Sequence, residues 1–267
     1  MTNTTRPDGA SRRAASRAET RSRILAAARE LIPGPGGSLP VTTIARHAGV
    51  AIQTVYDQFG SKGGLILAVI GDVQRSHGLF EAFGAVFHSR DGEEAMRRMI
   101  QATVSFWDRA WPYVEFLVRS RRIDPVVARE MDYVDRLRNA HFWAIAKRLE
   151  EEGRLRAGLS ADRAADQAFA FTTPTVYEEL AVRRDASAES AVDTVTRAVL
   201  AVILEPEVAA ASIAPPDWAA LEREAAERAK GRGSDPARLS PEWWGAGAGA
   251  LAPPSEIVKA PGGTRRT

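Results

Sequence analysis

Between Ser16 and Leu204 the apolar residues recur at helical spacing, and no alternating β-branched run is long enough to make a strand. Ala, Arg, Glu and Leu dominate this stretch, and all four favour helix. The expected fold class is therefore all-α. Ser16 opens an S-x-x-E pattern with Glu19, a reciprocal helix-start signal. Behind it Ile24, Leu25, Ala28, Leu31 and Ile32 form one apolar stripe, which the run PGPGG from Pro33 to Gly37 ends. Two short helices are expected near 41–48 and 52–58, then longer ones near 62–87, 93–109, 112–121, 124–152, 160–183 and 187–204. Breaks are marked by Gly49, Arg90-Asp91-Gly92, Pro112, Asp124-Pro125 and Gly153–Gly158.

This pattern predicts four segments: a disordered basic arm over 1–15, a head over 16–62, a helical body over 63–204 and a Pro/Ala/Gly-rich extension over 205–267. Charge divides along the same line. Residues 1–64 hold nine Lys/Arg against four Asp/Glu, while the whole chain carries only +2, so a basic head precedes a slightly acidic body. Such a head suits a polyanionic partner. In the extension, Asp217–Lys230 reads as a solvated amphipathic helix, with Trp218, Trp243 and Trp244 as possible docking anchors.

The segment VTTIARHAGVAIQTVYDQFGSK, Val41–Lys62, has the layout of a helix-turn-helix. Ala45 supplies the small residue where the two helices touch, and Gly49 tolerates positive φ in the turn. Ile44, Ala48, Val50 and Val55 would lock the second helix onto the first, leaving Gln53, Thr54, Tyr56 and Asp57 or Gln58 outward. A recognition helix presents polar groups to the DNA major groove in this way.

These residues resemble the TetR family of regulators. Ile44-Ala45, Ala48-Gly49-Val50, Thr54-Val55-Tyr56, Phe59, Ser61-Lys62 and Leu65 follow the family's spacing without a gap. The resemblance implies a homodimer that places two recognition helices on a double-stranded, pseudo-palindromic operator, and a small-molecule inducer in the body that alters their spacing. It implies phosphate contacts from Tyr56 and Lys62, the latter at a helix start where backbone amides help. Gln53 and Thr54 are the candidate base readers, Gln being able to pair with adenine. Thr42 and Thr43 are candidates for the backbone, and Gln58, where the family often has His, can donate to phosphate. Pro40 and Ala51 stand where the family commonly has hydroxyl caps, and Gly63 replaces an acidic residue, which should weaken the start of its helix. The arm arginines Arg6, Arg12, Arg13, Arg17, Arg21 and Arg23 fit either tracking of phosphates or a solvated tail.

In the body, Phe83, Phe106, Trp107, Trp111, Phe116, Phe142, Trp143 and Tyr177 are the candidate ligand contacts, and plain core packing is the other reading of each. Pro174, within Phe169–Tyr177, should kink a helix. Val192, Val195, Val199, Val202 and Ile203 form the candidate dimer face. Catalysis finds little support. The four histidines show no metal-ligand spacing, no G-x-S-x-G elbow occurs, and Glu93-Glu94 and Glu178-Glu179 are neighbours that point about 100° apart on a helix. No cofactor, metal or enzymatic activity is expected. With no cysteine, no secretory leader and no long apolar run, the expected location is the cytoplasm, off the membrane. The function expected is a ligand-released repressor. Activation is an open alternative, as is a ligand-independent architectural DNA-binding protein.

Overall fold

The computed structural model describes residues 9–32, 40–205 and 217–231. Among these residues the secondary structure is helical, apart from an isolated bridge between Leu155 and Leu204. The helices are α1 (Gly9–Leu31), α2 (Val41–His47), α3 (Ile52–Phe59), α4 (Lys62–Ser76), α5 (Leu79–Phe87), α6 (Gly92–Arg109), α7 (Trp111–Arg121), α8 (Pro125–Glu151), α9 (Ala161–Phe171), α10 (Pro174–Tyr177), α11 (Ala188–Ile203) and α12 (Trp218–Gly231). A π-turn, Glu178–Val182, follows α10. The all-α expectation holds. No described helix is long and apolar enough to cross a membrane.

The chain groups into two compact units, neither continuous in sequence. One ends at His77 and adds Phe106–Val134; the other joins Gly78–Ser105 to the residues from Asp135 on. The first is built by packing α1 on α2, α3 and α4, and α3 on α2 and α4. Its core combines Ile24, Ala28 and Ile32 with Ile44, Ala45, Val55, Leu65, Ile66 and Val69, all buried. In the second, α11 lies against α9, and the main chain of Arg156 donates to the Ile203 carbonyl at 2.9 Å.

Three boundaries differ from the sequence reading. First, α1 begins at Gly9, so Ser16 lies inside the helix instead of capping it, and its carbonyl accepts from the Thr20 hydroxyl at 2.9 Å. The Ala/Arg run before Ser16 propagates helix as well as the residues after it do. Second, the helix expected over 62–87 breaks at His77-Gly78. Gly78 has φ +71, and Arg109 takes the His77 carbonyl at 2.9 Å, so the ladder has both a conformational stop and a tertiary one. Third, the helix expected over 160–183 ends at Phe171. Pro174 cannot donate, and the buried Arg138 donates to the Thr172 carbonyl at 2.9 Å while its guanidinium lies 4.3 Å from the Phe169 ring centroid. The kink expected at Pro174 is thus a full interruption.

The island expected near Asp217 is helical, but it is not merely solvated. Asp217 caps α12 by accepting from Ala220 N–H at 2.9 Å. Leu221, Glu222 and Ala225 are buried, and Arg228 pairs with Asp162 and stands 4.9 Å from the Trp143 ring centroid. The anchors Trp243 and Trp244 fall outside the described residues, as do the side chain of Trp218, residues 1–8 of the expected arm and the PGPGG loop. Glu222 Oε1 has no hydrogen-bond partner, and burial pushes the carboxyl up to about 7, with Arg223 pulling it back only partly. A folded-state pKa above the ordinary 4.5 means the docked helix holds its proton longer than the free one. Docking of α12 should therefore weaken as pH rises from 4.5 to 7 and level off above, by about 2 kcal/mol once solvent screening is allowed for. Amide exchange of α12 at pH 5 and pH 8 reads this directly. Glu222→Gln should remove the dependence, and equal protection of the wild type at both pH values would refute it.

Candidate nucleic-acid interface

The turn between α2 and α3 forms as its residues require. Gly49 has φ +64, its N–H donates to the Arg46 carbonyl at 3.2 Å, and Val50 N–H donates to the Ala45 carbonyl at 3.0 Å. Ile44, Ala45, Ala48 and Val55 are buried as expected, and Val50 is half-buried. Neither Pro40 nor Ala51 makes a side-chain cap, whereas Ser61 caps α4 by accepting from Gly64 N–H at 3.0 Å. A second positive-φ glycine, Gly60 at +73, ends α3.

At 100° per residue, Ile52, Tyr56, Gln53 and Asp57 share an arc of about 140° on α3. All four are exposed, on the side away from buried Val55. Thr54 and Gln58 are half-buried at the edge of this surface. On α2, Thr42 is exposed and Thr43 half-buried. The Gln53 amide donates to Asp57 Oδ1 at 2.9 Å, so the two side chains act together.

One residue outside the motif holds α3 from behind. Arg21 of α1 donates to the Gln58 carbonyl at 3.1 Å and lies 4.3 Å from the Phe59 ring centroid. It caps the carbonyl end of α3, where positive charge is favoured. Partial burial, then the nearby Arg75, lower its pKa against the opposing pull of Asp72, and the guanidinium stays charged. Of the other arm arginines, Arg12, Arg13, Arg17 and Arg23 are exposed along α1, and Arg6 falls outside the described residues.

Lys62, expected to contact a phosphate, is paired within the chain. Its ammonium pairs with Asp124, whose carboxylate also accepts from Val126 N–H at 3.0 Å and Val127 N–H at 3.4 Å at the start of α8. Burial raises the Asp124 pKa, but the Lys62 hydrogen bond and these amides outweigh it, and the carboxyl lies below its ordinary value. Beside this pair Gly63 is buried, and a Cβ there would stand 2.5 Å from Oε1 of the equally buried Glu130. The glycine that looked like a weak helix start makes room for a carboxylate.

The candidate ligand residues divide between the two units. Phe106, Trp107, Trp111 and Phe116 belong to the first, with the Phe106 and Trp107 rings 5.3 Å apart. Phe83, Phe142, Trp143 and Tyr177 belong to the second, all buried, with Phe83 5.7 Å from the His141 ring. The candidate dimer face needs correction. Val195, Val199 and Ile203 are 3%, 0% and 0% exposed within a single chain, leaving only Val192 and Val202 partly accessible. Within the chain α11 packs on α9 and on the Glu178–Val182 turn.

The family model described as "Bacterial regulatory proteins, tetR family" matches residues 24–69, the stretch from the buried face of α1 into α4. No curated protein matches the chain in sequence. Among solved structures, a Rhodococcus sp. protein classed with TetR-family transcriptional regulators is 17% identical with a TM-score of 0.56, over 70% of this chain and 99% of its own. NalD of Pseudomonas aeruginosa, the secondary repressor of the MexAB-OprM multidrug efflux pump, is 17% identical with a TM-score of 0.54, over 72% and 98%. A Saccharomonospora viridis transcriptional regulator in complex with choline is 19% identical with a TM-score of 0.52, over 70% and 99%. Residues 24–69 thus match the TetR-family DNA-binding model, and the described helices share the fold of solved TetR-family regulators.

Proposed function

We propose that the chain is a sequence-specific DNA-binding transcriptional repressor that acts as a homodimer in the cytoplasm and leaves its operator when a small, mainly apolar molecule binds the helical body. The observation that carries this reading is the exposed arc of α3, where Gln53 and Tyr56 stand clear of a helix whose other side is locked by Val55 and Arg21. A rigid support with polar groups pointing out is what base readout needs. Gln53 and Thr54 read bases; Tyr56, Gln58, Thr42 and Thr43 meet the backbone. Lys62 joins them by exchanging Asp124 for a phosphate. The repressor role of NalD supports repression, and the choline complex of the S. viridis protein supports small-molecule binding.

The test is a titration of the full chain against DNA flanking its own gene, at two salt concentrations and with excess competitor. Retention of one fragment at nanomolar protein, with a footprint of about two helical turns, is expected for a dimer on two half-sites. Binding that is uniform across fragments and vanishes with modest salt would favour an architectural protein instead. Within that assay, Lys62→Ala should weaken all sequences alike and reduce the salt slope by about 1, while Gln53→Ala should relax preference at one operator position by about 1–3 kcal/mol. Unchanged base preference in Gln53→Ala would remove it from the base-reading set.

A further inference from the structure

We propose that Ile52 determines operator specificity by reading the C5-methyl group of a thymine, next to an adenine that Gln53 reads with its amide oriented by Asp57; this rests on the DNA-binding reading above. Ile52 is the first residue of α3 and is 43% exposed. A single exposed isoleucine is ordinary on a protein surface. Its position is what gives it meaning. It shares the outward arc with Gln53, Tyr56 and Asp57, at the N-terminal end of the helix, and that end of a recognition helix approaches base edges. An sp³ hydrocarbon side chain has no hydrogen bond to offer there. The one apolar feature the major groove displays is the thymine methyl.

The neighbouring contacts fix what lies beside it. Gln53 Nε2 donates one N–H to Asp57 Oδ1 at 2.9 Å. Turning the amide over would set its carbonyl against the carboxylate, so the pair selects one orientation. The second N–H and the carbonyl remain, and together they match N7 and N6–H of adenine. Guanine keeps N7 for the second N–H but sets its O6 acceptor against the Gln53 carbonyl. Asp57 is a positioning residue in this scheme and touches no base.

The experiment begins with selection from random-sequence duplexes by the full-length protein. Each thymine of the selected duplex is then replaced singly by deoxyuridine, which removes the methyl group and leaves every hydrogen bond intact. Wild-type affinity should fall about fourfold at one thymine per half-site, the worth of burying one methyl-sized group. Ile52→Ala should bind the thymine and deoxyuridine duplexes equally, and Asp57→Ala should lose preference at the adjacent adenine while keeping the methyl effect. Ile52→Ser removes the hydrocarbon side chain and serves if the alanine variant melts early. Indifference of the wild type to deoxyuridine at every position overturns the proposal, as does a penalty that persists in Ile52→Ala. A selection that enriches no sequence overturns the DNA-reading function beneath it instead.

Discussion

Gly64→Ala is expected to lower the stability of the head by about 3 kcal/mol and to abolish specific DNA retention, whereas Gly71→Ala in the same helix should stabilise it. The difference lies in what each added methyl meets. After α3 the chain reverses through Gly60, Ser61 caps α4, and the Gly64 backbone is drawn in so close that a Cβ would overlap the carbonyl oxygen of Phe59. A carbonyl has no rotamer by which to withdraw. Relief must come from moving the end of α3, where Arg21 grips Gln58 and Phe59. At Gly71 nothing lies within 4 Å of the added carbon, and replacing a mid-helix glycine then gains up to about 1 kcal/mol. Thermal melts of the two variants, with DNA titration of each, should move in opposite directions. A Gly64→Ala protein as stable as the wild type would mean that the α3–α4 joint is looser than its geometry.

Glu152→Ala should cost the second unit about 3–5 kcal/mol, the range for removing one partner of a buried ion pair. The Glu152 side chain is 0% exposed and that of Arg148 is 6% exposed, and the two are paired. Both Glu152 oxygens also accept from Gly92 N–H, at 3.1 Å each, so the carboxylate satisfies the first turn of α6 as well. Alanine takes the carboxylate away from a buried guanidinium and the acceptor away from an amide. Glu152→Gln retains an acceptor for Gly92 and should lose less. Urea unfolding followed by tryptophan fluorescence ranks the three proteins. An alanine variant that unfolds with the glutamine variant would assign the effect to charge alone, and one that unfolds with the wild type would refute the role.

The helix-turn-helix was legible because its signals are local. Gly49 at positive φ, the small Ala45 at the crossing and the spacing of Ile44, Ala48 and Val55 are each set by neighbours within a few residues. Ile52 was not legible. On the helical wheel it lies about 60° from buried Val55 and about 40° from exposed Tyr56, so period alone leaves its side undecided. Packing of α3 on α1, α2 and α4 decides it. Arg21 looked like one arginine of a basic arm because its partners, Gln58 and Phe59, are more than thirty positions away.

The all-helical class and the motif register were determined by sequence alone, through helix propensity, apolar period and two glycine turns. Tertiary structure decided the remainder. It broke the expected 62–87 helix by giving Arg109 the His77 carbonyl, bound Lys62 to Asp124, made Gly63 a seat for Glu130, and turned Val195, Val199 and Ile203 inward. The physical reason is the same in each case. A residue's period shows that one side of its helix is buried, but the atoms that bury it, or satisfy its charge, come from parts of the chain too distant for any local pattern to record.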